Sequence, residues 1–359
     1  MDDNTPDKEL TPEEALEWIK QFCPNARNKA MEEVIAKDPC CSYEYSNMLG
    51  GRFELGEPAI ASHAEYAYEY ALRNICGRWK MGEPAIASDP MSAQEYACNV
   101  IKGRWEAGEP AIASNTQESY HYARYALKDR FKLGEQAIAQ NFITAYEYAC
   151  MLNDPIYGCG KGNKRWRFKA AEKKIIETGS AEYGYLYARD VIKGRWKQME
   201  PIIAVADSMW AFRYATVILK KRWKLAEPTI MKHGELACNY AQKIIKGRWY
   251  EAEPTILKGR PYFCYRYAKM VIQGRWPEAE PSILTSCSDA YCYTLDIMDG
   301  EWPEGIEVIK TDKRLYGDFK KDLRTKAKLK RKMQEKMQKL LAKIGDKLSP
   351  EQKKQLGMP

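Results

Sequence analysis

The stretch GRWKMGEPAIAS, which begins at Gly77, returns as GRWEAGEPAIAS at Gly103 and, altered, as GRWYEAEPTILK at Gly247 and GRWPEAEPSILT at Gly274. This recurrence constrains the fold more than any other feature. A unit of about 26 residues cannot bury its own apolar face, so neighbouring units must stack to make one core. The motif aromatic falls at Phe53, Trp79, Trp105, Phe131, Trp166, Trp196, Trp223, Trp249 and Trp276, with a degenerate copy at Trp302. Four residues after most of these stands a glutamate, followed by proline everywhere except at Gln136. Nine residues before most of them stands a tyrosine, as at Tyr70, Tyr96 and Tyr122.

Each unit reads as two helical segments. The longer, such as AEYAYEYALRNI from Ala64, carries aromatic and aliphatic residues at the three- and four-residue steps of a helix with one buried face. Gly77, Gly103, Gly194, Gly247 and Gly274 are expected to supply the left-handed residue that ends it. Glu-Pro opens the shorter helix, where proline costs no hydrogen bond and glutamate faces the positive end of the helix dipole. The predicted fold is all-α: a right-handed α-solenoid of about ten two-helix repeats, with a basic C-terminal helix.

In this reading the motif makes joints rather than active sites. Trp79, Trp105, Trp196, Trp223, Trp249 and Trp276 plug successive helix pairs, each burying on the order of 150–250 Å². Arg78, Arg104, Arg195, Arg248 and Arg275 are expected to pair with Glu83, Glu109, Glu200, Glu253 and Glu280 in a ladder of ions. Not every tyrosine of a long helix can face the core, so Tyr66 and Tyr68 become candidate interaction residues.

The pattern breaks in places that suggest domains. Residues 1–40 read as a capping helix, entered through Thr11-Pro12-Glu13-Glu14, and a half-unit, NKAMEEVIAKDP. Residues 41–152 form a first repeat arm and 166–309 a second. The insertion at 153–165 contains GCGKGNK, which lacks the Ser or Thr that a phosphate-binding loop places after its lysine. The tail, 310–359, is Lys-rich, and Phe319, Leu323, Met333, Met337, Leu340, Leu341, Ile344 and Leu348 recur at helical spacing.

Charge separates tail from body. Seventeen Lys and Arg against six Asp and Glu lie between Lys310 and Pro359, a net +11, while the whole chain is +8, so the remainder is −3. Electrostatic attraction to nucleic acid therefore rests on the tail, through Lys328, Lys330, Arg331 and Lys332. Eleven scattered cysteines without a Cys-x-x-Cys pair, and three histidines, predict reduced, buried or half-buried thiols and no zinc site. No apolar run is long enough to span a membrane, and MDDNTPDKEL lacks the order of a secretory leader, which predicts a cytoplasmic protein.

Units of the form YA-x4-(I/V)KGRWPEAEP-x-I resemble tandem repeats of uncharacterised proteins from tailed bacteriophages. The likeness spans roughly residues 41–309 and is closest in YAKMVIQGRWPEAEPSI, from Tyr267. It implies a viral origin, with action in the host cytoplasm or the particle, and it carries no assigned catalytic residue. The expectation is a non-catalytic scaffold for protein–protein interaction, without cofactor, whose partner is a host or viral protein. A nucleic-acid binder using the tail, or a nucleotide sponge, is the alternative.

Overall fold

The computed structural model describes residues 10–24, 26–156 and 166–345, with side chains as far as 340. Among the described residues every regular element is helical, and the chain is an all-α helical-repeat solenoid. Two compact units divide it, residues 1–199 and 200–359.

The first unit opens with Pro12–Phe22, whose N-terminus is closed by the reciprocal Thr11–Glu14 capping box. Helices Lys29–Ile35 and Pro39–Leu49 follow, and Leu16, Ile19, Ile35, Tyr45 and Phe53 form the core of this end. Repeats proper then alternate a short element, a single turn in most and the ten-residue helix Lys169–Thr178 after the insertion, with a longer helix. Glu57–Ile60, Glu83–Ile86, Glu109–Ile112 and Glu135–Ile138 are the short turns, the last formed with Gln136 in the proline position. The second unit uses the same alternation in Glu227–Ile230, Glu253–Leu257 and Glu280–Ile283, then Pro303–Lys310 and the terminal helix Lys313–Gly345.

The long helices end in an unusual way. After Tyr70 the helix widens into a π-helical turn, Ala71–Ile75, and the N–H groups of both Cys76 and Gly77 reach back to the Ala71 carbonyl. The same closure follows Tyr96, Tyr187 and Tyr267. The alanine whose carbonyl accepts the closure is fully buried at Ala71, Ala97, Ala123, Ala188, Ala215, Ala241 and Ala268. A larger side chain has no room there, which accounts for the recurrent Tyr-Ala pair.

Two expectations are corrected here. The left-handed residue is not the motif glycine but the residue before it: Cys76, Lys102, Lys128, Lys193, Lys220, Lys246 and Gln273 all have φ between 52° and 59°. Gly77, Gly103, Gly194, Gly247 and Gly274 lie outside that region, and a Cβ there would meet nothing within 4 Å. Second, Trp166 is not a motif aromatic. Phe168 is, since Arg167 pairs with Glu172 and the Phe168 N–H donates to Tyr187. Trp166 lies half-buried under the Arg130 guanidinium, 4.5 Å from ring centre to carbon. The inserted stretch GCGKGNK and Leu348 lie outside the described residues.

Candidate functional site

The joint is best seen at one copy. Trp79 is 6% exposed and packs, tilted, against Tyr70 of its own repeat, ring centres 4.9 Å apart. Its backbone N–H donates to the hydroxyl of Tyr96, 17 residues on in the next repeat, at 2.9 Å. That hydroxyl donates in turn to Glu83 Oε1 at 3.2 Å, and Arg78 clasps the same carboxylate through Nε and Nη2 at 2.5 and 3.1 Å. One tyrosine oxygen thus ties a backbone N–H and an ion pair of one repeat to the long helix of the next. Buried backbone donors need such partners, and a bidentate guanidinium–carboxylate pair is the strongest available in one plane.

The arrangement recurs at Arg104–Glu109 with Trp105 and Tyr122. In the second unit it recurs at Arg248–Glu253 with Trp249 and Tyr267, and at Arg275–Glu280 with Trp276 and Tyr293. Arg222–Glu227 with Trp223 and Tyr240 repeats it again. Trp196 and Arg195 lie in the last repeat of the first unit, and Trp196 packs on Tyr187. Glu200 opens the second unit and accepts from Tyr214 at 3.2 Å. All six predicted tryptophans are between 1% and 8% exposed.

Sequence reasoning noticed the tyrosine but gave it no part. The usable signal was its distance from the glutamate: Tyr70, Tyr96, Tyr122 and Tyr293 each follow their glutamate by 13 residues. The same spacing exposes a joint hidden in the N-terminal half-unit, where Glu32 accepts from Arg27 at 2.8 Å and from Tyr45 at 2.7 Å. Arg27 foremost holds the Glu32 carboxyl below its ordinary value of 4.5.

The aromatic also responds to the residue three places on. A Cβ at Gly82 or Gly108 would lie 2.5 Å from the indole of Trp79 or Trp105, and these rings tilt 57° and 59° from their tyrosines. Where Met199, Ala226, Ala252 or Ala279 takes that place, the tilt is 39–48°. The indole swings aside to admit a methyl group.

The candidate interaction residues fare differently. Tyr68 is corrected: it is only 5% exposed, and its hydroxyl accepts from Asn99 of the next repeat at 2.8 Å. It belongs to a second internal ladder, in which a tyrosine two places before the motif tyrosine bonds three places after the next one. Tyr146 donates to Asp190, Tyr265 to Asp296 and Tyr291 to Asp322 in the same register. Tyr66 is half-buried between His63 and Tyr43. Lys330 pairs with Asp299 at 2.7 Å and Arg331 with Glu335 at 3.1 Å, while Lys328 and Lys332 are exposed. Cys76, expected to be at least half-buried, is exposed.

What varies between repeats lies on the long helices. The residue before the motif tyrosine is Glu44, Glu69, Glu95, His121, Glu147 and Leu186 in the first unit, but Arg213, Asn239, Arg266 and Cys292 in the second. Hollows between successive long-helix starts differ likewise. One of about 540 Å³ is lined by His63, Glu65, Glu69, Asp89 and Glu95. Its counterpart, about 460 Å³, has His233 and Glu235 in register and Asp207 beside them, but Arg260 where the first has Asp89. Burial foremost, then the carboxylates of Glu69, Glu118, Glu65 and Asp89, raises the Glu95 carboxyl above 4.5.

Glu13, Asp38 and Cys41 offer ligand atoms within 4.8 Å of one another. Asp38 already caps Pro39–Leu49, and burial pushes the Cys41 thiol up to about 12, so a metal-binding thiolate is disfavoured there. No family model, curated protein or solved structure matches this chain.

Proposed function

We propose that the chain is a non-catalytic helical-repeat scaffold that binds a protein partner across its long helices. One observation carries this reading. The side chains that repeat are spent on one another inside the joints, whereas the side chains that vary line surface hollows in register. A set of repeated ligand sites would do the reverse, holding the ligand-facing residues constant and letting the packing drift. The hollows differ in charge, four carboxylates from Glu65, Glu69, Asp89 and Glu95 in one against Asp207, Glu235 and the Arg260 guanidinium in the other, which supports recognition of distinct protein surfaces by charge. The resemblance of the units to those of tailed-phage proteins supports a viral setting, in the host cytoplasm or the particle.

The test is capture of the tagged full-length protein from cells that express it, with and without nuclease, beside the double variant Glu69→Lys, Glu95→Lys. The scaffold reading expects a protein recovered in fixed ratio, indifferent to nuclease and reduced at least tenfold by the variant. Recovery of nucleic acid alone, or a partner retained unchanged by the variant, overturns it.

A further inference from the structure

The terminal helix, Lys313–Gly345, starts as the long helix of an eleventh repeat. Phe319 stands 17 residues after Trp302, in the place of a motif tyrosine, and is 2% exposed. Asp322 accepts from Tyr291 as Asp296 accepts from Tyr265. Lys326 donates to the Leu295 carbonyl, and Lys326 and Lys330 both pair with Asp299, at 2.9 and 2.7 Å. Here the likeness stops. Other long helices close three to five residues after their tyrosine, as Cys287–Asp296 does after Tyr293 and Ala71–Ile75 after Tyr70. This one runs on to Gly345, about 22 Å beyond Lys330 at 1.5 Å per residue.

The overhang carries an apolar seam. Leu329, Met333, Met337 and Leu340 are 58%, 67%, 56% and 53% exposed. At 100° per residue they fall within about 80° of the helix circumference, narrower than a face that packs on a globular core. Leu329, Met333 and Met337 also floor an apolar groove of about 500 Å³ rimmed by Asp299, Lys326 and Lys330. Lys332, Lys336 and Lys339 run along one flank, and Glu335 is the only acidic residue between 326 and 340.

We propose that this overhang docks an acidic amphipathic helix of a partner protein, laid lengthwise along the seam. A narrow seam flanked by lysines matches a two-helix pairing with glutamates opposite. A second copy of the same helix would set lysine against lysine. A lipid surface calls for a broad apolar face with aromatic anchors, and residues 327–345 contain no aromatic side chain. The inference concerns a different surface from the long-helix hollows and does not depend on the scaffold reading.

The experiment uses the full chain and a fluorescent acidic peptide of about three heptads, with leucine at a and d and glutamate at e and g. Controls are its lysine-flanked twin and phosphatidylglycerol vesicles. Anisotropy at 50 and 300 mM salt is expected to show binding of the acidic peptide only, weakening at least tenfold with salt. Met333→Asp with Met337→Asp should weaken it at least tenfold more, with the unfolding midpoint unchanged. Lys332→Glu with Lys336→Glu should transfer binding to the lysine-flanked twin. Glu69→Lys with Glu95→Lys should leave it intact, which separates this result from the scaffold test. No binding of the acidic peptide, equal binding by the Met variants, preference for vesicles, or a dimer that the Met variants dissolve would each overturn the proposal.

Discussion

The tyrosine hydroxyl is the smallest group on which the array depends. At Tyr96 it satisfies the Trp79 N–H and helps hold the Glu83 carboxylate. Tyr96→Phe therefore strands a buried donor, and an urea midpoint should report a loss of about 1–3 kcal/mol. The chain itself shows how a phenylalanine is accommodated. At Phe319 the two charged side chains of the set are gone as well, with Glu301 in the arginine place and Ile306 in the glutamate place. Losing the hydroxyl together with the carboxylate it met costs less than losing the hydroxyl alone. Glu95 supplies a second prediction. Its raised pKa means the folded protein holds that proton at higher pH than the unfolded chain. Stability then falls as pH rises from the ordinary glutamate value through the folded one. Glu95→Gln should melt higher than the parent at pH 8, and the gap should close as pH drops below 4.5.

At the scale of the helix, the wide π-helical closure decides which residue bears the left-handed conformation. A glycine at a helix end invites the reading that it carries positive φ, and in this chain that reading is off by one residue. Lys246 has φ 57° while Gly247 next to it needs neither unusual φ nor empty space. Gly247→Ala should consequently stabilise the protein by about 0.4–1 kcal/mol in thermal or chemical unfolding, through the unfolded chain. A left-handed requirement would give a loss instead. Helix positions, short turns and the buried aromatics were legible because periodicity and spacing report them directly. The closure was not, because Asp129 and Lys221 in the glycine place are its only trace in the text. Phe168 was obscured for a similar reason. Arg-Trp-Arg-Phe at 165–168 offers two basic–aromatic pairs, and only the four-residue step to Glu172 picks the second.

For the molecule as a whole, the terminal helix divides into a part that closes the fold and a part that leaves it. Ending the chain after Lys332 should keep the unfolding midpoint unchanged, since Phe319, Asp322, Lys326 and Lys330 remain. Ending it after Asp312 uncovers the end of the array, and differential scanning calorimetry should register at least the about 3–5 kcal/mol expected for losing a buried aromatic. The hollows were less legible than the joints, because binding residues that differ from unit to unit leave no periodic mark. The unfinished eleventh repeat has a consequence for ancestry. Termination is written in Glu301, Ile306 and Phe319 and in a last helix that does not close, so tandem duplication or loss of an interior segment leaves complete contacts on both sides of the splice. Such a gene can lengthen or shorten by recombination without inventing an interface, and its final exposed helix travels unchanged with every new length.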